Sequence, residues 1–247
     1  MVMTGEKLHK VLARLGLGSR RQIENWIAEG RISVDGELAG VGLRVGPGAQ
    51  ITLDGRPVIS GAAPETRVLV YHKPMSEICT RLDPQGRATV FDRLPRVNGR
   101  WITVGRLDIN TTGLLMFTND GALAAKLMHP SSGYEREYIV RVHGTPTTEQ
   151  LKLLVTGIEL DGIRCRFNSL LPVHRSRAGK NRWYRVTLGE GRNREIRRLW
   201  EKVDCQVNKL KRIRFGPVSL PEPLPPGSWR ELDPATVNDI RNNGTFE

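Results

Sequence analysis

The 247 residues carry 38 Lys and Arg against 26 Asp and Glu, a formal net charge of +12, and their 38% hydrophobic content can core one large domain or a large one with a small companion. No apolar run approaches the roughly 18 residues of a membrane span, and Met1 to Leu12 mixes Glu6, Lys7, His9 and Lys10 where an export segment would be apolar, so a cytoplasmic protein is expected. Cys79, Cys165 and Cys205 suit neither a disulfide framework nor a Cys-x-x-Cys site, and the histidines lack ligand spacing, so no metal is expected.

Residues 1–60 read as a separate unit. Leu8, Val11, Leu12 and Leu15 recur at helical spacing over Lys7 to Leu15 and end at the Gly16 to Gly18 break. Ser19 with Gln22 three residues on predicts a capping box, Ile23, Trp26 and Ile27 the buried stripe, and Gly30 a left-handed stop. Arg20 and Arg21 fall in the first turn, where positive charge opposes the helix dipole by about 0.3–1 kcal/mol per residue. They make either a phosphate seat or a solvated helix end. Arg31 to Gly36 and Gln50 to Gly55 each read as a short strand entering a turn. The ordered pattern Leu-x-Lys-x-Leu-Ala-x-x-Gly, Gly-Ser-Arg-Arg-x-Ile and Gly-Arg-Ile-x-Val-Asp-Gly resembles the S4 RNA-binding domain over residues 6–54.

Residues 61–66 read as a small-residue linker, and 67–247 as one α+β body. Arg67 to Tyr71, Trp101 to Val104, Gly113 to Phe117, Arg136 to His143 and Trp183 to Leu188 are the predicted strands. Ala122 to His129, Thr148 to Val155 and Arg194 to Val203 are the predicted helices, the last with Ile196, Leu199, Trp200 and Val203 on one face. Pro217 to Gly227, with five prolines, reads as extended surface chain.

Between two strands lies Gly105-Arg-Leu-Asp-Ile-Asn-Thr-Thr-Gly113, which sets Asp108 among apolar neighbours. Such an acid is a turn-former or a reagent, and a turn over Asn110 to Gly113 is expected in either case. From Arg175 to Arg214, fourteen basic residues face four acidic ones, a net of +10 that points to a polyanionic partner. The phosphate loop, dinucleotide fingerprint and serine-hydrolase elbow are missing, which argues against nucleotide hydrolysis, dinucleotide redox chemistry and serine hydrolysis. The lack of a glycine-rich cofactor loop also weighs against an S4-linked methyltransferase. A non-catalytic RNA-binding or ribosome-assembly factor stays open.

Gly105-Arg106-Leu107-Asp108-x-x-Thr111-x-Gly113-Leu114-Leu115, then Arg136-Glu137-Tyr138-Ile139-Val140, then Glu190-Gly191-Arg192-Asn193-Arg194-Glu195-Ile196-Arg197-Arg198-Leu199, resemble the three ordered motifs of ribosomal RNA pseudouridine synthases. The resemblance implies a small S4 domain followed by a catalytic domain built on a mainly antiparallel mixed sheet flanked by helices. It implies Asp108 as the catalytic carboxylate, Tyr138 beneath the target base and Arg197 as the cation paired with Asp108. Isomerising uridine means breaking N1–C1′, turning the base, joining C5 to C1′ and losing the C5 proton. Asp108 would attack C1′ or take the 2′ proton to give a glycal. Tyr138 offers a flat surface and a hydroxyl for the C5 proton. No cofactor is required.

Drawing the uridine from its stack exposes it to basic side chains. Arg20, Arg21, Lys73, Arg106, Arg192, Arg194 and Arg198 are the expected RNA contacts, with Arg106 filling the vacated space, holding a phosphate or forming a plain ion pair. Lys73-Pro74, Ile78 to Arg81, Asp83-Pro84 and Gly86 to Pro95 are most similar to the S4-containing branch acting on the large subunit. The implied partner is therefore 23S ribosomal RNA near the peptidyl-transferase region, or a pre-ribosomal particle carrying it, met by a monomer.

Overall fold

The computed structural model describes residues 5–58, 65–173 and 181–242. Linker positions 61–64, and Arg175, Arg177 and Lys180 of the basic segment, lie outside the described residues. The chain divides into two units, the first holding residues up to 66 with 96–101 and 119–121, the second the remainder.

The first unit runs β1 (Glu6–Lys7), α1 (Leu8–Arg14), α2 (Arg20–Ala28), β2 (Ile32–Val34), β3 (Glu37–Leu38), β4 (Arg44–Val45), β5 (Ile51–Leu53) and β6 (Arg56–Pro57). The box at α2 forms as the spacing requires: Ser19 Oγ accepts from the Gln22 N–H at 3.1 Å and Gln22 Oε1 from the Ser19 N–H at 3.4 Å. Gly30 takes φ +70° behind α2. Asp35-Gly36 and Asp54-Gly55, all at positive φ, close the two-residue hairpins β2–β3 and β5–β6. The resulting order β3-β2-β5-β6 places Ile32 and Ile51 under Leu8, Leu12, Ile23 and Ile27 of the helices, a separate apolar core.

The second unit contains β7 (Val68–Lys73), β8 (Ile102–Val104), β9 (Thr112–Thr118), α3 (Gly121–Met128), β10 (Arg136–His143), α4 (Thr148–Thr156), β11 (Ile158–Leu160), β12 (Ile163–Cys165), β13 (Ser169–Val173), β14 (Asn181–Leu188), α5 (Glu195–Glu201), β15 (Gln206–Phe215), β16 (Val218–Ser219), β17 (Trp229–Glu231) and α6 (Pro234–Asn242). The main sheet runs β13-β14-β10-β15-β9-β7-β17, with β16 on β15 and β8 on β9. Only β9 and β15 pair in parallel among its described strands, so the sheet is mixed and mainly antiparallel. Val68, Val70, Leu114 and Met116 meet Leu123 and Leu127 of α3 and Val237 and Ile240 of α6. Trp200 of α5 packs on Tyr184 at 4.9 Å between ring centres and on Phe167 at 6.1 Å.

Within the proline-rich end Val218–Ser219 pairs with β15 as β16, and beyond it Trp229–Glu231 adds to β7 an edge strand absent from the sequence reading. Gly113 does not complete a turn but lies within β9 at φ +102°, where a Cβ would sit 2.1 Å from the Arg212 carbonyl oxygen. Glycine is there to admit the neighbouring backbone. No helix among the described residues is long and apolar enough to cross a membrane.

Candidate active site

Asp108 stands on the turn between β8 and β9, its side chain 35% exposed at a cleft of about 560 Å³. The turn is closed by the Thr111 N–H on the Asp108 carbonyl at 2.9 Å, two positions earlier than an Asn110 to Gly113 turn would be. Five successive carbonyls around it are all held. Leu107 O accepts from the Cys79 thiol at 3.4 Å, Asp108 O from Thr111, and Ile109 O from the Ser76 N–H at 3.0 Å and the Lys73 ammonium at 3.4 Å. Asn110 O accepts from Arg197 Nη2 and Thr111 O from Lys73 Nζ, each at 3.0 Å. A loop whose backbone is bonded at every step holds its carboxylate in place.

Lys73 is fully buried at the end of β7, and its ammonium also bonds Pro74 O at 3.0 Å. Burial pushes its pKa below the ordinary lysine range, opposed by Cys79, Glu77 and Asp108 nearby. The expectation that Lys73 contacts RNA is therefore corrected: its hydrogen-bonding capacity is spent on the backbone beneath Asp108.

Arg197 enters from α5. Its Nη1 donates to Val207 O at 2.9 Å and its Nη2 to Asn110 O, so the guanidinium bridges β15 to the Asp108 turn. Nε lies 3.9 Å from Asp108 Oδ2, an ion-pair distance without a hydrogen bond, and is left unpartnered in the interior. Burial lowers the Arg197 pKa, Arg194 lowers it further, and Asp108 opposes both. Tyr138, on β10, is 8% exposed and lines the same cleft. Cross-strand from it on β15 is Arg212.

Residues 67–202 match the family model described as RNA pseudouridylate synthase, and residues 6–51 match the S4 domain. The chain belongs to the RNA pseudouridylate synthase family. It is 52% identical over 240 residues to ribosomal large subunit pseudouridine synthase B of Pseudomonas aeruginosa, covering 96% of this chain but 62% of that protein. It is 54% identical over 241 residues to the protein of that name from Salmonella typhimurium, covering 96% of this chain and 82% of the relative. A crystal structure of a pseudouridylate synthase superposes with a TM-score of 0.66 at 22% identity, covering 95% of this chain and 99% of the other, which shows a shared fold.

In this pseudouridylate synthase family member the cleft gathers Asp108, Tyr138, Arg197, Arg106, Arg192 and Arg194. Arg192 bonds Glu190 at 2.7 Å, and Arg194 takes φ +50° at the start of α5, which turns the loop into the helix. Arg198 is not with them: it pairs with Asp161 in the β11–β12 hairpin at 2.8 Å and does not line the cleft. Arg20 and Arg21 belong to the first unit, exposed at the start of α2. The sequence reading passed over Arg136, Thr111 and Arg212 as site residues, yet all three line the cleft, and Thr111 Oγ1 and Arg212 Nη2 are buried without a partner. The available signal was that Arg136 stands two residues before Tyr138, on the same strand face. Glu195, also at the cleft, accepts the Arg192 N–H at 3.0 Å, and burial raises its pKa.

Proposed function

We propose that this chain converts a uridine of 23S ribosomal RNA, near the peptidyl-transferase region, into pseudouridine. The observation that carries the reading is the immobilised turn presenting Asp108 to a cleft it shares with Tyr138 and Arg197. The large-subunit naming of relatives more than half identical supports the choice of RNA.

The target uridine leaves its stack and enters the cleft. Asp108 acts at the sugar, by attack on C1′ or by removing the 2′ proton, and the N1–C1′ bond breaks. The base turns on the Tyr138 surface and C5 joins C1′ as the Asp108–C1′ bond breaks or the abstracted proton returns to C2′; the C5 proton departs and N1 takes up a proton, so atoms balance without a co-reactant. Arg197 keeps a positive charge beside the carboxylate while its two carbonyl bonds fix its position. Residues 1–60, through Arg20 and Arg21, serve as an RNA-docking domain joined by residues 61–66 to the catalytic domain of 67–247.

Mapping pseudouridine across both ribosomal RNAs from cells with and without this chain tests the proposal. The expected result is loss of one site, in 23S RNA. Loss confined to 16S RNA would overturn the target, and an unchanged map would overturn the chemistry and leave an RNA-binding factor.

A further inference from the structure

Arg136 and Arg212 stand on rungs of the β10–β15 pair that flank the Glu137–Arg214 rung, Arg136 opposite Phe215 and Tyr138 opposite Arg212. Their guanidinium carbons lie 5.0 and 5.5 Å from the centre of the Phe215 ring, so two cations share one aromatic side chain. Arg212 is 2% exposed; its Nε donates to Leu114 O at 2.7 Å, and its Nη2 has no partner. Arg136 is half-buried, with Nη1 donating to Gly189 O at 2.7 Å and Tyr134 O at 3.2 Å. Burial, and then the charge of Arg212, work against the charge on Arg136.

The nearby acids do not neutralise this pair. Glu190 is bonded by Arg192, and Glu195 accepts the Arg192 N–H while burial favours its neutral form. Two guanidiniums that donate to the carbonyls of Leu114, Gly189 and Tyr134, with an idle N–H inside the cleft wall, lack an anion. A uracil oxygen could occupy the N–H but would leave the charge uncompensated. A phosphodiester supplies both the acceptor and the charge.

We propose that Arg212, assisted by Arg136, seats one of the two phosphodiesters flanking the target uridine. Tyr138 and Arg212 share a rung, so a base resting on Tyr138 would bring a flanking phosphate within reach of Arg212. The proposal deepens the pseudouridine synthase reading and rests on it.

The test uses the full chain and an RNA fragment carrying the mapped uridine, with a single neutral methylphosphonate placed at each flanking linkage in turn. In the wild type, one of the two placements should lower kcat/KM about 10- to 100-fold, the range for a charged hydrogen bond. R212Q should lose a similar factor on unmodified RNA and less than about twofold more on the methylphosphonate, since the partner is already gone. Because Arg212 is buried, R136Q is carried through the same cycle, with thermal melts on both variants. Equal methylphosphonate penalties in wild type and variants, or none at either linkage in the wild type, would overturn the seat. A wild type that makes no pseudouridine in unmodified RNA would instead overturn the underlying reading.

Discussion

Replacing Lys73 by Met asks whether the buried ammonium serves the Asp108 turn or the RNA. Met keeps the apolar stem and deletes two 3.0 Å bonds, to Pro74 O and Thr111 O, and the longer one to Ile109 O. Hydrogen bonds to a charged donor stabilise by about 1.5–3 kcal/mol each, so the two short ones amount to about 3–6 kcal/mol. The variant no longer removes an ammonium from water, which offsets several kcal/mol. The net loss of stability should be about 1–3 kcal/mol. Function should suffer more, because the Ile109 and Thr111 carbonyls belong to the turn that carries Asp108, and misplacing a reacting group by about 1 Å costs about 10²-fold. Since the reaction expels the C5 proton, tritium release from RNA labelled at uridine C5 follows turnover directly. K73M should lower the single-turnover rate about 10²-fold, with RNA affinity in filter binding changed less than about twofold. Weakened affinity at an unchanged single-turnover rate, with a shallower salt dependence, would refute the reasoning and return Lys73 to phosphate contact.

Gly113→Ala should destabilise the fold by more than about 3 kcal/mol, because its Cβ would strike Arg212 O, whereas Gly105→Ala, at φ +77° in open space, should lose about 1–2 kcal/mol. Urea melts showing similar losses for the two would contradict the close approach of β9 and β15. Glu195 has a folded pKa raised above its ordinary 4.5 by burial, so its ionisation opposes folding, and its contribution to stability falls as pH rises from 4.5 through the raised value. Stability of Glu195→Gln relative to the wild type should therefore grow with pH across that window, and a difference flat from about pH 4 to 8 would contradict it. Exposed Arg20, Arg21, Arg106, Arg192 and Arg194, as five phosphate contacts at about 0.7 each on a single strand, predict a log–log salt slope near −3.5. Binding insensitive to salt would contradict that assignment.

The parts legible in sequence were those specified by neighbouring residues. Ser19 and Gln22 define α2 by their own hydrogen bonds, and Arg136–His143 alternates cleanly enough for its strand to match residue for residue. β15 was not legible, although at ten residues it supplies the cleft with Leu210, Arg212 and Phe215. Register shifts opposite Glu137/Tyr138 and Arg141/Val142 leave Ile213 and Asn208 as extra residues, and each bulge breaks the period-2 pattern among basic neighbours. α6 was missed because two buried residues, Val237 and Ile240, are too few to reveal a period. Lys73 was misassigned for a different reason. A cation in a basic chain reads as an RNA contact until the fold shows a carbonyl cage around it; Arg198 stands outside the cleft, beside Asp161.

The central claim is that Asp108 performs chemistry and is not simply a turn residue. Asp108→Asn preserves size and leaves the backbone bonds of residues 107–111 in place, so fold and RNA affinity should persist. Tritium release from C5-labelled RNA should then fall to background while filter binding stays within about twofold of the wild type. Pseudouridine formed by the variant at the wild-type rate would contradict the account.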